Sequence, residues 1–281
     1  MDNLRTLLLP SRYSREPLFH RTSIRTVKLL TLARDLRRRK GRERQGRFVA
    51  EGIRTVESLL QSSIEITGLL FTGAARADSR AAALLQHAEA IGVPSLEVGD
   101  AEFTSASETE TPQGILAIGA VPRHTLPDPQ PGFRVLLLDA VQDPGNVGTI
   151  VRTAAALGVH YTVALPGTVD LWNAKVVRSA MGALFTHPTG AMSWSTVEEY
   201  LDTHRIPLWV ADANGSDIRS HVQHGPLALA VSNEGNGLSE HIGRRAEQLV
   251  SIPMAPGVES LNVAVATGIL LYALSPPSQP R

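Results

Sequence analysis

The sequence predicts an α/β protein of two modules, of which the second is built on a parallel sheet. Between residues 134 and 275, short apolar runs alternate with stretches of helical periodicity, a pattern typical of buried parallel strands connected by helices. Residues 122 to 133 contain prolines at 122, 127, 129 and 131. Such a proline-rich segment is typical of a linker, and it separates the parallel-sheet region from a smaller region before it.

The domain boundaries are placed where the composition changes. Residues 47 to 121 are predicted to form the small α/β module, and residues 134 to 275 the larger domain, followed by a tail of residues 276 to 281. Residues 1 to 46 are assigned to a basic N-terminal extension.

A net charge of zero conceals a strongly basic N-terminus. Residues 1 to 47 hold 14 Lys and Arg against 4 Asp and Glu. Clustered cations neutralise phosphates and release condensed counterions, so this segment predicts sequence-independent attraction to RNA or DNA. The predicted RNA-binding side chains in it are Arg37, Arg38, Arg39, Lys40, Arg42 and Arg44. The same composition also suits a solvated helix face, a disordered tail or a transit peptide, and these alternatives stay open.

The absence of cysteine removes several classes of chemistry. Disulfides, cysteine-ligated metal centres and a thiol nucleophile are all excluded. The longest nearly apolar run, Leu261 to Leu274, is shorter than the ~20 residues that span a bilayer. No secretory signal is visible, so we expect a cytoplasmic protein without a membrane partner.

The first segment with candidate chemistry is Asp143 to Arg152, which follows a predicted strand. Asn146 is well placed to be the N-cap of the next helix. In that helix Arg152 lies one turn beyond Gly148 and leans back toward the loop. The pattern predicts a guanidinium at a cleft beyond the strand end, although a surface arginine on an ordinary amphipathic helix has the same spacing.

Two further loops also follow predicted strands. Ser232 to Leu238 contains glycines, which permit close approach of a ligand, and the carboxylate of Glu234. Ile252 to Asn262 places prolines and a glycine before Ser260 and Asn262, which open a helix. Ligands of parallel α/β sheets bind beyond the carboxyl ends of the strands, where all three segments are predicted to lie. Taken singly, each is better explained as an ordinary connection or an ordinary helix face.

Together the three segments resemble the signature of the SpoU, or TrmH-like, branch of the SPOUT RNA methyltransferases. The first family motif matches Asn146, Gly148 and Arg152, and the second matches the pair Glu234 and Gly235. The third motif is matched by residues 252–254 and 260–263, and the order and spacing of the motifs also agree. Two departures, Ser232-Asn233 and Ala255-Pro256, affect details of the loops around the cofactor.

Weaker resemblance is found at Val49 to Gly52, Thr111 to Ala117 and Arg178 to Gly182. The first two of these look like the edges of a substrate-binding domain, similar to a small ribosomal protein, that many rRNA-modifying members carry. The extra domain favours large-subunit rRNA of the 23S type over tRNA as the substrate.

The resemblance implies a parallel sheet with a C-terminal trefoil knot, S-adenosyl-L-methionine as cofactor and no metal. It also implies a homodimer whose active site forms where two knots meet. The implied catalytic residues are Arg152, Glu234, Asn146 and Asn262. The implied cofactor-binding residues are Ser232, Gly235, Ile252, Met254, Leu261 and Ala264, and Ser260 joins the RNA-binding residues.

The implied reaction is methylation of a ribose 2′-hydroxyl. A guanidinium stays protonated in proteins, so we read Arg152 as a phosphate ligand that stabilises the developing alkoxide. A phosphate oxygen or Glu234 then takes the proton. The alternatives are a tRNA 2′-O-methyltransferase, a base-methylating relative and a non-catalytic RNA-binding protein with the same fold.

Overall fold

The computed structural model describes residues 28–233, 237–258 and 260–274, which form two α/β modules with a separate sheet in each. The first module contains α1 (residues 28–36), α2 (Arg39–Gln45), β1 (Arg47–Glu51), α3 (Ile53–Leu60), β2 (Ile66–Phe71), α4 (Gly73–Ala77), α5 (Ser79–Ala90), β3 (Ser95–Glu97), α6 (Asp100–Ala106) and β4 (Ile115–Ala120). Its sheet has the order β1-β4-β2-β3, with β4 antiparallel to both of its neighbours and β3 parallel to β2.

The second module contains β5 (Arg134–Asp139), α7 (Pro144–Ala156), β6 (Tyr161–Ala164), α8 (Ala174–Ser179), β7 (Thr189–Ala191), α9 (Trp194–Thr203), β8 (Leu208–Asp217), β9 (Leu227–Ser232), α10 (Glu240–Arg245), β10 (Gln248–Ser251) and α11 (Val263–Leu274). Short 3-10 turns lie at Ala183–Phe185 and Ile218–Ser220. The six strands are all parallel, in the order β10-β8-β9-β5-β6-β7. The parallel α/β sheet predicted from the sequence is therefore confirmed.

Strand β5 shows why the strands of this sheet are continuous apolar runs and do not alternate between apolar and polar residues. Leu136 and Leu138 pack in one core, together with Val147 of α7. Val135 and Leu137 belong to a second core on the opposite face of the sheet. Because helices cover both faces, the successive residues from Val135 to Asp139 are all buried.

Helix α1 corrects the predicted start of the first module. Leu30, Ala33 and Leu36 are spaced by three residues and pack against the sheet beside Leu70 and Ile118. Residues 28–46 therefore belong to the module, and the boundary predicted between residues 46 and 47 lies too late. In the sequence, arginines lie between and after the apolar residues of this helix. The basic composition of residues 1 to 46 therefore led to the prediction that the whole segment is an extension.

The two modules share one core. The ring of Phe48 in β1 lies 4.5 Å from that of Trp172 and 5.7 Å from that of Phe185, measured between centroids. At the edge of this core, Arg42 Nε lies 2.6 Å from Asp170 Oδ2. Buried aromatic packing and an ion pair thus fix the first module against the second.

The proline-rich linker lies along the second module. The Tyr161 hydroxyl donates to the His124 carbonyl at 2.9 Å, and the Tyr200 hydroxyl donates to the Pro127 carbonyl at 2.5 Å. Burial raises the pKa of Tyr161 to about 12, so this hydroxyl remains a donor at neutral pH. Within the part of the chain that the structure describes, no helix is both long and apolar enough to cross a membrane.

Candidate active site

The three predicted segments meet beyond the carboxyl ends of the parallel strands. Asp139, at the end of β5, is buried, and its carboxylate accepts from the Ser239 backbone N–H at 2.8 Å and the Ser239 hydroxyl at 2.7 Å. These bonds fasten the connection that follows β9 to the end of β5. The connection includes Glu234 and Gly235, which lie outside the described residues.

The N-terminus of α7 is capped differently from the sequence prediction. Asp143 is the N-cap, and its Oδ1 accepts from the Asn146 N–H at 2.8 Å. Pro144 follows at the first helical position, where its missing N–H costs nothing. The prediction that Asn146 is the N-cap is wrong, because the N-cap lies three residues earlier, at Asp143, and the Asn146 side chain is left available for another contact.

That contact is with the third segment. Asn262 Nδ2 donates to Asn146 Oδ1 at 3.0 Å, across 116 positions of sequence. Asn262 Oδ1 accepts from the Ala264 N–H at 2.9 Å and the Val265 N–H at 3.3 Å, at the start of α11. One amide therefore caps α11 and ties it to α7.

Arg152 lies on the exposed side of α7, beyond Asn146. Within the described residues, its guanidinium has no recorded ion pair or hydrogen bond. An exposed guanidinium of this kind can bind an anionic group that approaches the strand ends.

Gly148 explains how α7 can lie so close to α8. A Cβ atom at this position would come within 2.5 Å of Ser179 Cβ and 2.7 Å of the Val176 carbonyl oxygen. Any larger residue would push the two helices apart. The second member of the first motif is therefore required by packing, whereas the third, Arg152, is exposed.

A cavity of about 340 Å³ opens beside this polar cluster. Four of the predicted cofactor-binding residues, Ser232, Ile252, Met254 and Leu261, line it, and so does Ser260, which was predicted to bind RNA. The structure thus brings these five residues together. Their binding roles stay predictions.

Ala264 was also predicted to line the cofactor site, and the structure does not place it there. It is buried on the other side of α11, in a shallow groove with Thr149 and Thr153 of α7. Val263 and Ala266 face the cavity instead. The prediction fails because the direction of a helical face depends on how α11 docks on α7, which periodicity does not reveal.

Sequence reasoning missed the part of β8 that completes the cavity. Val210 pairs with Leu249, yet Ser216 pairs with the next residue of β10, so residues 211–215 bulge out of the sheet. Asp212 and Asn214 of this excursion line the cavity, and Asp212 Oδ1 accepts from the Asn214 N–H at 2.8 Å. The Asn214-Gly215 pair is a turn signal that could have indicated the interruption.

Of the predicted RNA-binding side chains of residues 37–44, all but one are exposed. Arg37 and Arg38 line an open groove with Arg34. The remaining exposed members are Arg39, which pairs with Glu43, Arg44, which pairs with Asp35, and Lys40.

Arg42 is a correction to the RNA-binding prediction. Only 5% of the residue is exposed, and besides its ion pair with Asp170 it donates to the carbonyls of Leu36 at 2.8 Å and Arg37 at 3.0 Å. These contacts occupy its guanidinium, so Arg42 holds the modules together and is removed from the RNA-binding set.

His187 shows that a buried histidine here has a structural role. Its Nε2 lies 2.8 Å from the Thr162 hydroxyl, and burial lowers its pKa to about 4. It therefore stays neutral at physiological pH inside the sheet.

A parallel α/β domain has a cavity at its strand ends, and α7, which carries the exposed Arg152, is bonded through Asn146 to Asn262 next to the cavity lining. This is the layout of an enzyme that binds a small cofactor and an anionic substrate. Sequence comparison identifies the family. The chain belongs to the SpoU rRNA Methylase family, whose sequence profile matches residues 134–272. The profile of the MRM3-like substrate binding domain matches residues 27–117, which agrees with the inclusion of α1 in the first module.

Named relatives and solved structures support the family. The 23S rRNA (guanosine(2553)-2′-O)-methyltransferase RlmP of Bacillus subtilis is 33% identical over 240 residues, which is 85% of this chain and 92% of that protein. Human mitochondrial rRNA methyltransferase 3 is 29% identical, covering 82% of this chain and 68% of that protein. The crystal structure of the SpoU methyltransferase AviRb from Streptomyces viridochromogenes with AdoMet has a TM-score of 0.80 and 27% identity, over 87% and 96% of the two chains.

Proposed function

We propose that this protein transfers a methyl group from S-adenosyl-L-methionine to a ribose 2′-hydroxyl of large-subunit rRNA. The hydrogen bond between Asn262 and Asn146 carries this proposal, because it joins the cavity wall to the helix that bears Arg152. Relatives named as rRNA 2′-O-methyltransferases and related structures with bound AdoMet support the same chemistry.

The cavity has the size and chemistry that the cofactor requires. Its 340 Å³ falls in the range of roughly 300–1,000 Å³ for small-molecule sites. Ile252 and Leu261 provide apolar surface for an adenine ring, and Asp212 and Asn214 provide polar groups for hydroxyl and amino groups. When bound, the cofactor supplies an electrophilic methyl group, and the protein holds the attacking oxygen in line with it.

Arg152 is proposed to act on the RNA. It binds the phosphate next to the reacting ribose and stabilises the negative charge that develops on the 2′-oxygen as that oxygen loses its proton. A permanently charged guanidinium cannot accept this proton. The acceptor is a phosphate oxygen or Glu234, and Glu234 lies outside the described residues.

Exposed cations of the first module are proposed to hold the RNA backbone. They are Arg37, Arg38, Arg39, Lys40 and Arg44, with Ser260 at the cavity. Support comes from the exposure of the five cations and from the match of this module to a substrate-binding domain. Contacts of this type position RNA without reading its sequence.

We further propose a homodimer through the C-terminal domain. In support, α11 exposes Val265, Ile269 and Tyr272, at 52%, 41% and 76%, beside the shallow groove that α11 forms with α7. A row of exposed apolar side chains on one helix is typical of a subunit interface. The implied trefoil knot belongs to the same proposal, and support for it comes from residues 252–262, which connect the edge strand β10 to a helix packed on α7.

Changing both Ile269 and Tyr272 to Asp is expected to give a monomer, because two charges would be buried in the proposed interface. Sedimentation velocity of the variant and the wild type measures the change. Val222→Asp is the matched control, since Val222 is 74% exposed and lies outside α11. A wild type that sediments as a monomer, or a double variant that remains dimeric, contradicts the proposed interface.

A cytoplasmic location is proposed from the substrate, because the Bacillus subtilis relative is named for bacterial 23S rRNA. Fractionation of cells that express the tagged protein, followed by detection in the ribosome-containing cytoplasm, tests it. Recovery from an organelle would instead support the transit-peptide interpretation of the N-terminus.

The activity is tested with radiolabelled cofactor and unmodified large-subunit rRNA, followed by mapping of 2′-O-methylated positions. We expect one or a few sites of incorporation, lost when the target nucleotide carries a 2′-deoxyribose. Methylation that survives this change indicates base methylation. Incorporation into tRNA alone moves the substrate to tRNA, and binding without incorporation supports a non-catalytic RNA-binding protein.

A further inference from the structure

A second cleft, of about 650 Å³, lies between the two modules. Glu51 and Arg54 line it from the first module, and Arg178 and Met181 line it from the second. Among the residues that the structure describes, it shares no lining residue with the 340 Å³ cavity. Residues 49–52, 111–117 and 178–182, three segments that the sequence analysis singled out but that the methyl-transfer site does not use, all contribute to this cleft.

The Arg178 guanidinium faces the cleft with unused donors. Its Nη1 is buried, and within the described residues it makes no hydrogen bond. Glu51 Oε2 lies 3.9 Å away, close enough for charge attraction but too far for a hydrogen bond. Glu51 itself is satisfied by the Ser107 hydroxyl at 2.5 Å and the Glu108 N–H at 3.1 Å. The carboxylate is therefore a charged neighbour of Arg178 that leaves its N–H groups unoccupied.

Among the described residues, some of the other polar side chains that line the cleft already have a hydrogen-bond or ion-pair partner, and others have none. Asp78 caps α5, and Arg80 pairs with Glu57. Arg54 is exposed, and it forms no ion pair with another described residue. The Thr109 hydroxyl oxygen is buried and has no hydrogen-bond partner among those residues. Two arginines and one hydroxyl therefore remain available for a ligand.

A basic groove adjoins this cleft. Arg34, Arg37 and Arg38 line the groove together with Glu108, which precedes Thr109 in the chain. An extended polyanion on the first module could therefore pass from the groove into the cleft.

We infer that the cleft between the modules binds a backbone phosphate of the RNA, with Arg178 and Arg54 as the cationic ligands and the Thr109 hydroxyl as a further donor. A phosphodiester carries one negative charge on two acceptor oxygens, which suits the planar donors of a guanidinium. The inference rests on the proposed function, because it takes RNA as the ligand. It adds a phosphate-binding site that is separate from the site of the reacting nucleotide.

The position of Arg178 connects this site to catalysis. Arg178 lies on α8, and the next residue, Ser179, is where α8 meets Gly148 of α7. Arg152 lies one turn further along α7. A phosphate held by Arg178 therefore fixes the RNA relative to the helix that carries the proposed catalytic arginine.

The experiment measures binding of a large-subunit rRNA transcript to the full chain by fluorescence anisotropy over a range of salt concentrations. Arg54→Gln and Arg178→Gln are each expected to weaken binding about fivefold or more at low salt. Each should also reduce the slope of log K against log salt by about 1, because one phosphate contact is lost. Cofactor affinity should not change. In methyl transfer, KM for RNA should rise while kcat is retained.

Two control variants separate phosphate binding from a structural role. Arg76→Gln removes an exposed cation of the first module that pairs with Glu97 outside the cleft, and it should leave RNA affinity within about twofold. Glu51→Gln removes the charged partner of Arg178, and RNA affinity should be unchanged or higher because a negative charge is lost.

Unchanged RNA affinity in both Arg54→Gln and Arg178→Gln overturns the inference. It is also overturned if Glu51→Gln weakens RNA binding as much as Arg178→Gln, since Arg178 would then act only through its ion pair. A wild type that binds the transcript but transfers no methyl group contradicts the proposed function instead and leaves the binding result interpretable.

Discussion

At the scale of single residues, Asn262 has two separable tasks. Its Oδ1 caps α11, and its Nδ2 bonds to Asn146. Asn262→Ala removes both contacts and is expected to lower the free energy of unfolding by about 1 kcal/mol, the usual effect of losing an N-cap. Methyl transfer should fall at least roughly tenfold, because the hydrogen bond that aligns α7 with the cavity wall is lost. Chemical denaturation and a methyl-transfer assay measure the two effects.

Asn146→Ala is the matched variant, because it removes the same interhelical bond and leaves the α11 cap intact. It should lower methyl transfer as Asn262→Ala does, with a smaller loss of stability. Normal activity in this variant would show that the bond between the two asparagines does not position the site.

Arg152 is the residue on which the proposed chemistry depends most. Arg152→Ala should lower methyl transfer by roughly a hundredfold or more, because the stabilisation of charge in the transition state is lost. Cofactor affinity, measured by calorimetry, should not change, since Arg152 is not among the residues that line the cavity. Arg152→Lys retains the charge but not the planar donors and should recover part of the rate. A large loss of cofactor affinity in Arg152→Ala would contradict its assignment to the RNA.

The sequence identified Asn146, Arg152 and Asn262 as functional candidates, but it did not give their contacts. Asn146 was expected to cap its own helix and instead bonds across the site, because Asp143 takes the cap. Arg42 looked equivalent to its exposed neighbours and is buried against Asp170. Local spacing predicts the exposed face of a helix, whereas these partners come from distant parts of the chain.

At the scale of elements, the approach of α7 to α8 depends on one glycine. Gly148→Ala is expected to destabilise the protein by about 1–3 kcal/mol, because the new methyl group overlaps Ser179 and the backbone of α8. Methyl transfer should fall as well, since α7 carries Asn146 and Arg152. Thermal unfolding and methyl transfer measure these effects.

Gly243→Ala is the control for Gly148→Ala. Gly243 lies within α10, and a Cβ there would have no neighbour within 4 Å among the described residues. Replacement by Ala should leave stability unchanged or raise it by up to about 1 kcal/mol, because Ala has the better helix propensity. A Gly148→Ala variant as stable as the Gly243→Ala variant would show that α8 can move away at little cost.

The bulge in β8 is a feature that the periodicity of the sequence does not predict. Residues 208–211 are an apolar run of the length of a short strand, and the structure continues this strand to Asp217 after an excursion of five residues. Gly215 permits this path, since a Cβ on it would lie 2.6 Å from the backbone of Leu249. Pairing with β10 decides where the strand resumes, and the sequence of β8 alone does not contain that information.

For the whole molecule, the ion pair between Arg42 and Asp170 joins the two modules. Arg42→Met should destabilise the protein by about 3 kcal/mol, because Asp170 and two backbone carbonyls lose a largely buried partner. RNA affinity should change little, as the guanidinium is not exposed. Denaturant unfolding and RNA binding are the measurements. Arg44→Met, which breaks the exposed pair with Asp35, is the control and should cost at most about 1 kcal/mol. Equal stability of the two variants would contradict the structural role of Arg42.

By itself, the sequence determined the class of fold, the presence of two modules and the three segments that form the candidate site. The class of fold and the two modules follow from local patterns of apolar runs and helical periodicity, whereas the three segments were singled out by their joint resemblance to the family signature. Tertiary structure decided which side chains meet. It joined Asn262 to Asn146, turned Ala264 away from the cavity, added Asp212 and Asn214 to it and buried Arg42 between the modules. The physical reason is that burial and hydrogen bonding depend on the packing of elements distant in the chain, which local sequence does not specify.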